Sequence, residues 1–225
     1  MHNIALVCTR HESLGKCNLN ELYQIIERIN PEVIFEEMSP TFFDDYYLNN
    51  SRSNLETDTI NKYIQNYNLI HIPVDSDDIP SKEFFKDYNN LIERVEGLAD
   101  INGFNFRNLV DNNKLYIENY GFNYLNSIES ININYKIYNA INHGLQKINN
   151  DKLFETFNIW KDTHEKREHH MLQIIYNYCE NHSFERAIFT IGAAHRGSII
   201  NKISEFQENE KVRLNWVFEL PKKHK

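Results

Sequence analysis

Two histidines sit in similarly built segments at opposite ends of the 225-residue chain, Cys8-Thr9-Arg10-His11-Glu12-Ser13 and Gly192-Ala193-Ala194-His195-Arg196-Gly197-Ser198. In each, an apolar run gives way to a tight turn with a histidine three residues past its first position, then a serine ahead of a helix; this is a weak internal repeat. A third run, Glu32-Val33-Ile34-Phe35-Glu36-Glu37, stops abruptly on two carboxylates. Two imidazoles and one carboxylate suit a divalent cation, hard enough for Mn²⁺ or Fe²⁺ and acceptable to Zn²⁺ or Co²⁺. Three protein ligands leave a position for water, whose pKa falls from about 15.7 toward about 7 in favourable zinc sites. The candidate metal ligands are therefore His11, His195 and one of Glu36 and Glu37, the spare glutamate accepting the water's proton. Each element of this set has a plainer reading. A strand-end histidine is commonly a hydrogen-bonded core or surface group, and paired glutamates in a first helical turn balance the helix macrodipole.

The segment Thr163-His164-Glu165-Lys166-Arg167-Glu168-His169-His170-Met171 opens the apolar stripe Met171, Leu172, Ile174 and Ile175. His164 and His169 are five apart and His169 and His170 adjacent, so the i, i+4 pair of a His-Glu-x-x-His metalloprotease is absent. Arg167 is the informative residue here, a guanidinium able to hold a site glutamate or an acidic substrate group. The alternative is a solvated, charged helix face.

These residues need a scaffold that gathers them. Asn3 to Cys8, Glu32 to Glu37 and Leu69 to Val74 read as strands, separated by a helix starting at Asn18 and closed by Pro31, and by a helical stretch around 58–67. Strand and helix alternate, so the expected fold is α/β with a mainly parallel central sheet flanked by helices. From about 80 to 182 the period stays near 3.6, which predicts a large helical insertion broken at Gly97, Gly103 and Gly121. Phe84, Phe85, Tyr88, Leu91, Ile92 and Val95 share one of its faces, and Phe154, Phe157 and Trp160 another. Arg186 to Ile191 resumes strand character, Ser198 to Phe206 reads as a helix, and 212–220 alternates as a last strand. Asn49-Asn50, Asn89-Asn90, Asn112-Asn113 and Asn149-Asn150 read as loops or helix ends. In a parallel sheet ligands bind beyond the carboxyl ends of strands, so both imidazoles and both glutamates are delivered to one edge despite their separation in sequence.

Composition narrows the function classes. With 41% hydrophobic and 25% charged residues the chain reads as one globular domain, residues 1–225. A net charge of −8 works against adhesion to nucleic acid or anionic lipid, and only Lys222-Lys223-His224-Lys225 clusters basic residues. Three separated cysteines, Cys8, Cys17 and Cys179, form no Cys-x-x-Cys pair and fit reduced thiols in a cytoplasm. No apolar run approaches the roughly 20 residues needed to span a bilayer, and the start has no export signal, so a cytoplasmic location is expected.

In order and rough spacing, the x-x-x-His strand end, the Pro-Glu-Val-Ile-Phe-Glu-Glu strand, the Arg-Glu-x-x-Met helix start and the Ile-Gly-Ala-Ala-His-Arg-Gly turn resemble the TraB/Tiki superfamily. That grouping holds the Tiki metalloproteases, the TraB proteins, the erythromycin esterase-like hydrolases and the ChaN-like lipoproteins. About 30 residues carry the likeness, though their order runs through the whole chain. The resemblance implies that His11 and His195 are the motif histidines, that Glu37 is the matching acid with Glu36 its close competitor, and that Arg167 orients the glutamate or binds substrate. Asp75 is a poorer candidate. Cys8 stands where the family has glycine, a departure that reshapes the turn; beside the histidines, Arg10 and Arg196 repel a cation. Tiki-like members imply metal-dependent peptide cleavage, and erythromycin esterase-like members imply metal-free hydrolysis with a histidine activating water. The resulting expectation is a hydrolase of a peptide or ester bond, with Mn, Co or Zn as the candidate ion and a small molecule or peptide as substrate. The alternative is a noncatalytic module that holds a ligand or a protein partner through the helical insertion.

Overall fold

The structure is a computed structural model and describes residues 2–78 and 80–222. Of the basic tail Lys222-Lys223-His224-Lys225, all but Lys222 lies outside the described residues. Five strands, β1 (Asn3–Thr9), β2 (Val33–Glu36), β3 (Ile70–Pro73), β4 (Arg186–Gly192) and β5 (Asn215–Val217), form one sheet in the order β3-β2-β4-β1-β5. Every pairing is parallel. The α/β expectation holds, with the helical insertion before the last two strands. The last strand is shorter than the alternation of 212–220 implied, because only Asn215 to Val217 find partners on β1.

The chain leaves β1 for β2 and skips the slot between them, which β4 fills much later. β4 therefore lies with β1 on one side and β2 on the other, and Thr9 pairs with Gly192 at the carboxyl edge. Alternation at period two sorts the strand side chains into two layers. Ile4, Leu6, Cys8, Val33, Phe35, Phe189 and Ile191 pack on one face, while Val7, Ile34 and Ile188 join the other.

The second face is covered by α1 (Leu19–Ile29) and α3 (Leu55–Ile64). Asn18 caps α1 by accepting from the Glu21 N–H, and Asn30, in the left-handed region at φ 48°, ends it just before Pro31. Asn54 and Thr57 build a capping box that starts α3. Between β2 and α3 lies α2 (Pro40–Tyr47), which the sequence reading passed over; Pro40 sits in its first turn, where a missing N–H costs nothing.

The insertion comprises α4 (Lys82–Glu96), α5 (Ile101–Tyr120), the one-turn α6 (Phe122–Leu125), α7 (Ile128–Ile148) and α8 (Asp151–Asn181). Leu91, Val95, Phe106, Ala140, Ile141, Leu145, Leu153 and Phe157 give it a core of its own. Gly97 and Gly121 end helices as expected. Gly103 does not: it lies inside α5, where a Cβ would stand 2.0 Å from the Leu98 carbonyl oxygen, so close backbone approach, not helix breaking, explains it. Asn89-Asn90 and Asn112-Asn113 are likewise helical, and Phe85 is exposed, while Tyr88, Leu91, Ile92 and Val95 form the face of α4 that packs on the insertion core.

Helix α8 has 31 residues and is about 46 Å long. Its Leu153 and Phe157 belong to the insertion core, while Met171, Leu172, Ile175, Tyr176 and Cys179 pack on the first face of the sheet with α9 (Arg196–Asn209). Its middle turns pass the carboxyl edge of β4. Among the described residues no helix is long and apolar enough to cross a membrane.

Candidate active site

A cleft of about 640 Å³ opens at the carboxyl edge, lined among others by Thr9, Arg10, His11, Glu37, Asp75, His164, Arg167, Gly192 and His195. Four of the five sequence candidates, His11, Glu37, Arg167 and His195, therefore share one cleft. Glu36 does not line it.

The parting of Glu36 and Glu37 follows from strand alternation. Glu36 continues the face of Ile34, is buried, and accepts from the Tyr47 hydroxyl at 2.7 Å with His71 Nε2 at 2.8 Å. It serves the packing of α2 and β3 and is not the spare site acid. Glu37 continues the face of Phe35 toward α8. Its Oε2 accepts from the Gly192 N–H at 2.6 Å, and its Oε1 from Arg167 Nη2 at 2.8 Å with His195 Nε2 at 3.3 Å. Burial pushes this carboxyl up, but the positive His195 and Arg167 and the Gly192 N–H outweigh it and bring the pKa down to about 2.

His195 follows β4 in a 3₁₀ turn and is 5% exposed. Its Nδ1 meets Glu168 Oε1 at 2.6 Å and its Nε2 meets Glu37, so the ring lies between two carboxylates. Burial opposes its charge, yet Glu37 and Glu168 hold the pKa up to about 9, and the ring is an imidazolium at neutral pH. Glu168, 3% exposed, is fixed in turn by Ser198 Oγ at 2.5 Å and Lys202 Nζ at 3.1 Å. Its pKa is lowered: burial opposes this, and His195, Ser198 and Lys202 prevail.

Arg167 binds Asp75 through Nε (3.0 and 3.2 Å) and Nη2 (2.6 Å) while the same Nη2 reaches Glu37. Asp75 is thus the counter-charge that orients the arginine, a larger role than its sequence context suggested. The solvated-face reading of 163–171 fails for Arg167 and Glu168 and holds for His169 and His170, which are exposed.

Across the cleft, the His11 ring is 69% exposed and its Nδ1 lies 2.6 Å from Glu56 Oε2. Glu56, 6% exposed in the first turn of α3, also accepts from the Thr9 hydroxyl. The hydrogen bond to Glu56, working against burial, raises the His11 pKa to about 9. His11 and His195 therefore each give Nδ1 to a buried carboxylate and keep Nε2 free of it, an arrangement that fixes tautomer and ring orientation.

His164 stacks on His195 with ring centroids 4.6 Å apart and planes 21° apart. Burial and the neighbouring positive His195 and Arg167 push its pKa down to about 4, so it is neutral. Among the described residues, the group of donors close enough for one ion is His164, Glu168 and His195, whose ligand atoms lie within 4.8 Å of one another. Of the expected ligand set His11, Glu37 and His195, only His195 belongs to this group; His11 Nδ1 is held by Glu56, and Glu37 by Arg167.

Cys8, at the position of the expected glycine, obstructs nothing. Its thiol is fully buried, with a pKa pushed up to about 11 by burial, and its backbone N–H and C=O both bond the Asn126 side chain, at 2.8 and 2.9 Å. Arg196 is likewise buried on Asn126 and the Phe218 carbonyl, away from the cleft.

Sequence reading missed Glu56, Glu168 and His164. For the last two a signal existed: stepping back by four from Leu172, along the buried stripe of α8, lands on Glu168 and then His164. No family model matches the chain, nor does any curated protein or solved structure match it significantly.

Proposed function

We propose that the protein is a hydrolase acting on an ester or peptide bond, with Glu37 and His195 as a dyad that begins and ends each cycle sharing one proton. The observation that carries this reading is the seat of His195, buried between Glu37 and Glu168 at the end of the central strand with a cleft in front of it. A carboxylate has about four lone-pair sites, and Glu37 uses three on Gly192, Arg167 and His195; the fourth serves a water. That water attacks the acyl carbon while its proton passes to Glu37. The His195 imidazolium delivers its Nε2 proton to the leaving oxygen or nitrogen as the carbon–heteroatom bond breaks, and the Glu37 proton then returns to Nε2. Glu168 stabilises the imidazolium through Nδ1. Arg167 uses Nε and Nη2 on Asp75 and Glu37, so the donors on Nη1 remain for the developing oxyanion. The TraB/Tiki resemblance supports metal-free hydrolysis, although it implies a histidine as the group that activates water, a role assigned here to Glu37.

The group His164, Glu168 and His195 has the composition of a Mn²⁺, Co²⁺ or Zn²⁺ site, and its arrangement argues against one. The two imidazole planes are nearly parallel, so their in-plane lone pairs run alongside each other without converging. The Lys202 ammonium lies 3.1 Å from the only carboxylate. No step is assigned to a metal.

A second reading, a noncatalytic binding module, is favoured by the closure of the network: Glu37, Asp75 and Glu168 all have internal partners. Turnover of a panel of p-nitrophenyl esters and fluorogenic peptides, with and without a chelator, separates the two. The hydrolase reading expects His195→Ala to lower turnover by about 10² or more, with the chelator inert. Equal turnover by the variant and the parent protein sinks it, and ligand capture without turnover supports the binding module.

A further inference from the structure

The ionisable side chains around the cleft are layered. Arg10, His11, Arg167 and His195 line it, whereas Glu56 and Glu168, the counter-charges of the two histidines, stand behind the rings and do not. The acids that do line it, Glu37 and Asp75, are bound to Arg167. Arg10 differs from all of these: among the described residues its guanidinium has no ion pair or hydrogen bond. An unpaired arginine lining a cleft is notable in a chain with 32 acidic and 24 basic side chains, where counter-charges abound. Its neighbour in sequence, His11, has a ring 69% exposed with Nδ1 taken by Glu56, which leaves Nε2 as its open donor. Met38, Phe42, Tyr46 and Phe85 supply apolar lining in the same cleft.

We propose that the ligand of this cleft carries an oxyacid group, a carboxylate or a phosphate, seated on the Arg10 guanidinium and His11 Nε2, with an apolar portion against Phe42 and Tyr46. The planar fork of arginine suits either oxyanion. Calling that ligand a substrate rests on the hydrolase reading; its anionic character does not. The acidic group is the recognition handle, and the bond to be cut lies toward Glu37 and His195.

Isothermal titration of the full chain with glutarate, inorganic phosphate and the neutral diamide glutaramide tests the recognition directly. Glutarate or phosphate should bind at least about tenfold tighter than glutaramide, the difference one charge-assisted pair makes. That preference should shrink with added salt, vanish in Arg10→Gln, survive in part in Arg10→Lys and persist in His195→Ala. Glutarate ahead of phosphate identifies a carboxylate, and the reverse a phosphate. Equal binding of glutarate, phosphate and glutaramide, or a preference that survives Arg10→Gln, overturns the inference. The kcat/KM ratio of p-nitrophenyl hemiglutarate to p-nitrophenyl butyrate should fall about tenfold in Arg10→Gln. Hydrolysis without acid preference defeats this inference alone, and acid preference without hydrolysis defeats the hydrolase reading alone.

Discussion

Replacing Glu37 by Gln keeps the shape of the site and removes one charge, and the structure fixes how the effect varies with pH. The carboxylate is held at about 2 against an ordinary 4.5, chiefly by His195, Arg167 and the Gly192 N–H working against burial. A depressed carboxylate contributes stability that is fully present above 4.5 and is lost as the pH falls toward 2. His195, raised from 6.5 to about 9, contributes stability that is full below 6.5 and is lost as the pH climbs through 9. Both shifts record largely one ion pair and count once, as roughly 3 kcal/mol. Urea unfolding should therefore show the largest gap between parent and Glu37→Gln protein between pH 4.5 and 6.5. The gap should narrow, without closing, as the pH passes 9, because neutral His195 no longer distinguishes Glu from Gln while Arg167 still does. In the variant, the His195 imidazole should titrate below 9 yet above 6.5, since Glu168 still holds Nδ1; nitrogen-detected NMR reads this. A gap independent of pH, or a parent His195 titrating at 6.5, refutes the electrostatic account.

Asn126→Ala should cost about 3 kcal/mol, because it strands the buried N–H and C=O of Cys8 and one contact of Arg196; a loss under about 0.5 kcal/mol in thermal unfolding would show that water replaces the amide. Gly192→Ala places a Cβ 3.3 Å from Glu37 Oε2 at an ordinary backbone angle, so it should lower the His195 pKa by NMR while costing less than about 1 kcal/mol of stability. Gly103→Ala, by contrast, meets a backbone carbonyl at 2.0 Å and should lose about 3 kcal/mol or more in the same unfolding assay; similar costs for the two would contradict the packing argument.

The parallel sheet and the gathering of His11, Glu37 and His195 at its edge were legible because strands announce themselves by short apolar runs and a parallel sheet has only one carboxyl edge. Alternation also determines that Glu36 and Glu37 part company. Which of them faces the cleft depends on where α8 lies, and that is set some 130 residues downstream. Glu56 carried no signal of its own: an acid in the first turn of a capped helix is what the macrodipole favours, and nothing local says that this turn folds under β1. The short α2 was hidden because Phe42, Phe43, Tyr46 and Tyr47 give little helical contrast over eight residues. Gly103 was misjudged for a related reason, since breaking a helix and admitting a neighbouring carbonyl call for the same residue.

The ring of Trp160 lies 4.2 Å from that of His164, which in turn stacks on His195. The other tryptophan, Trp216, is far from this stack in the fold, bonded to the Tyr176 hydroxyl beside β1. Protonated imidazole quenches indole emission, so intrinsic fluorescence at Trp160 becomes an optical gauge of charge on His164, bright while that ring is neutral and dimming as the pH approaches 4. A molecule entering the cleft that pulls His164 out of the stack would register in the same emission without any label.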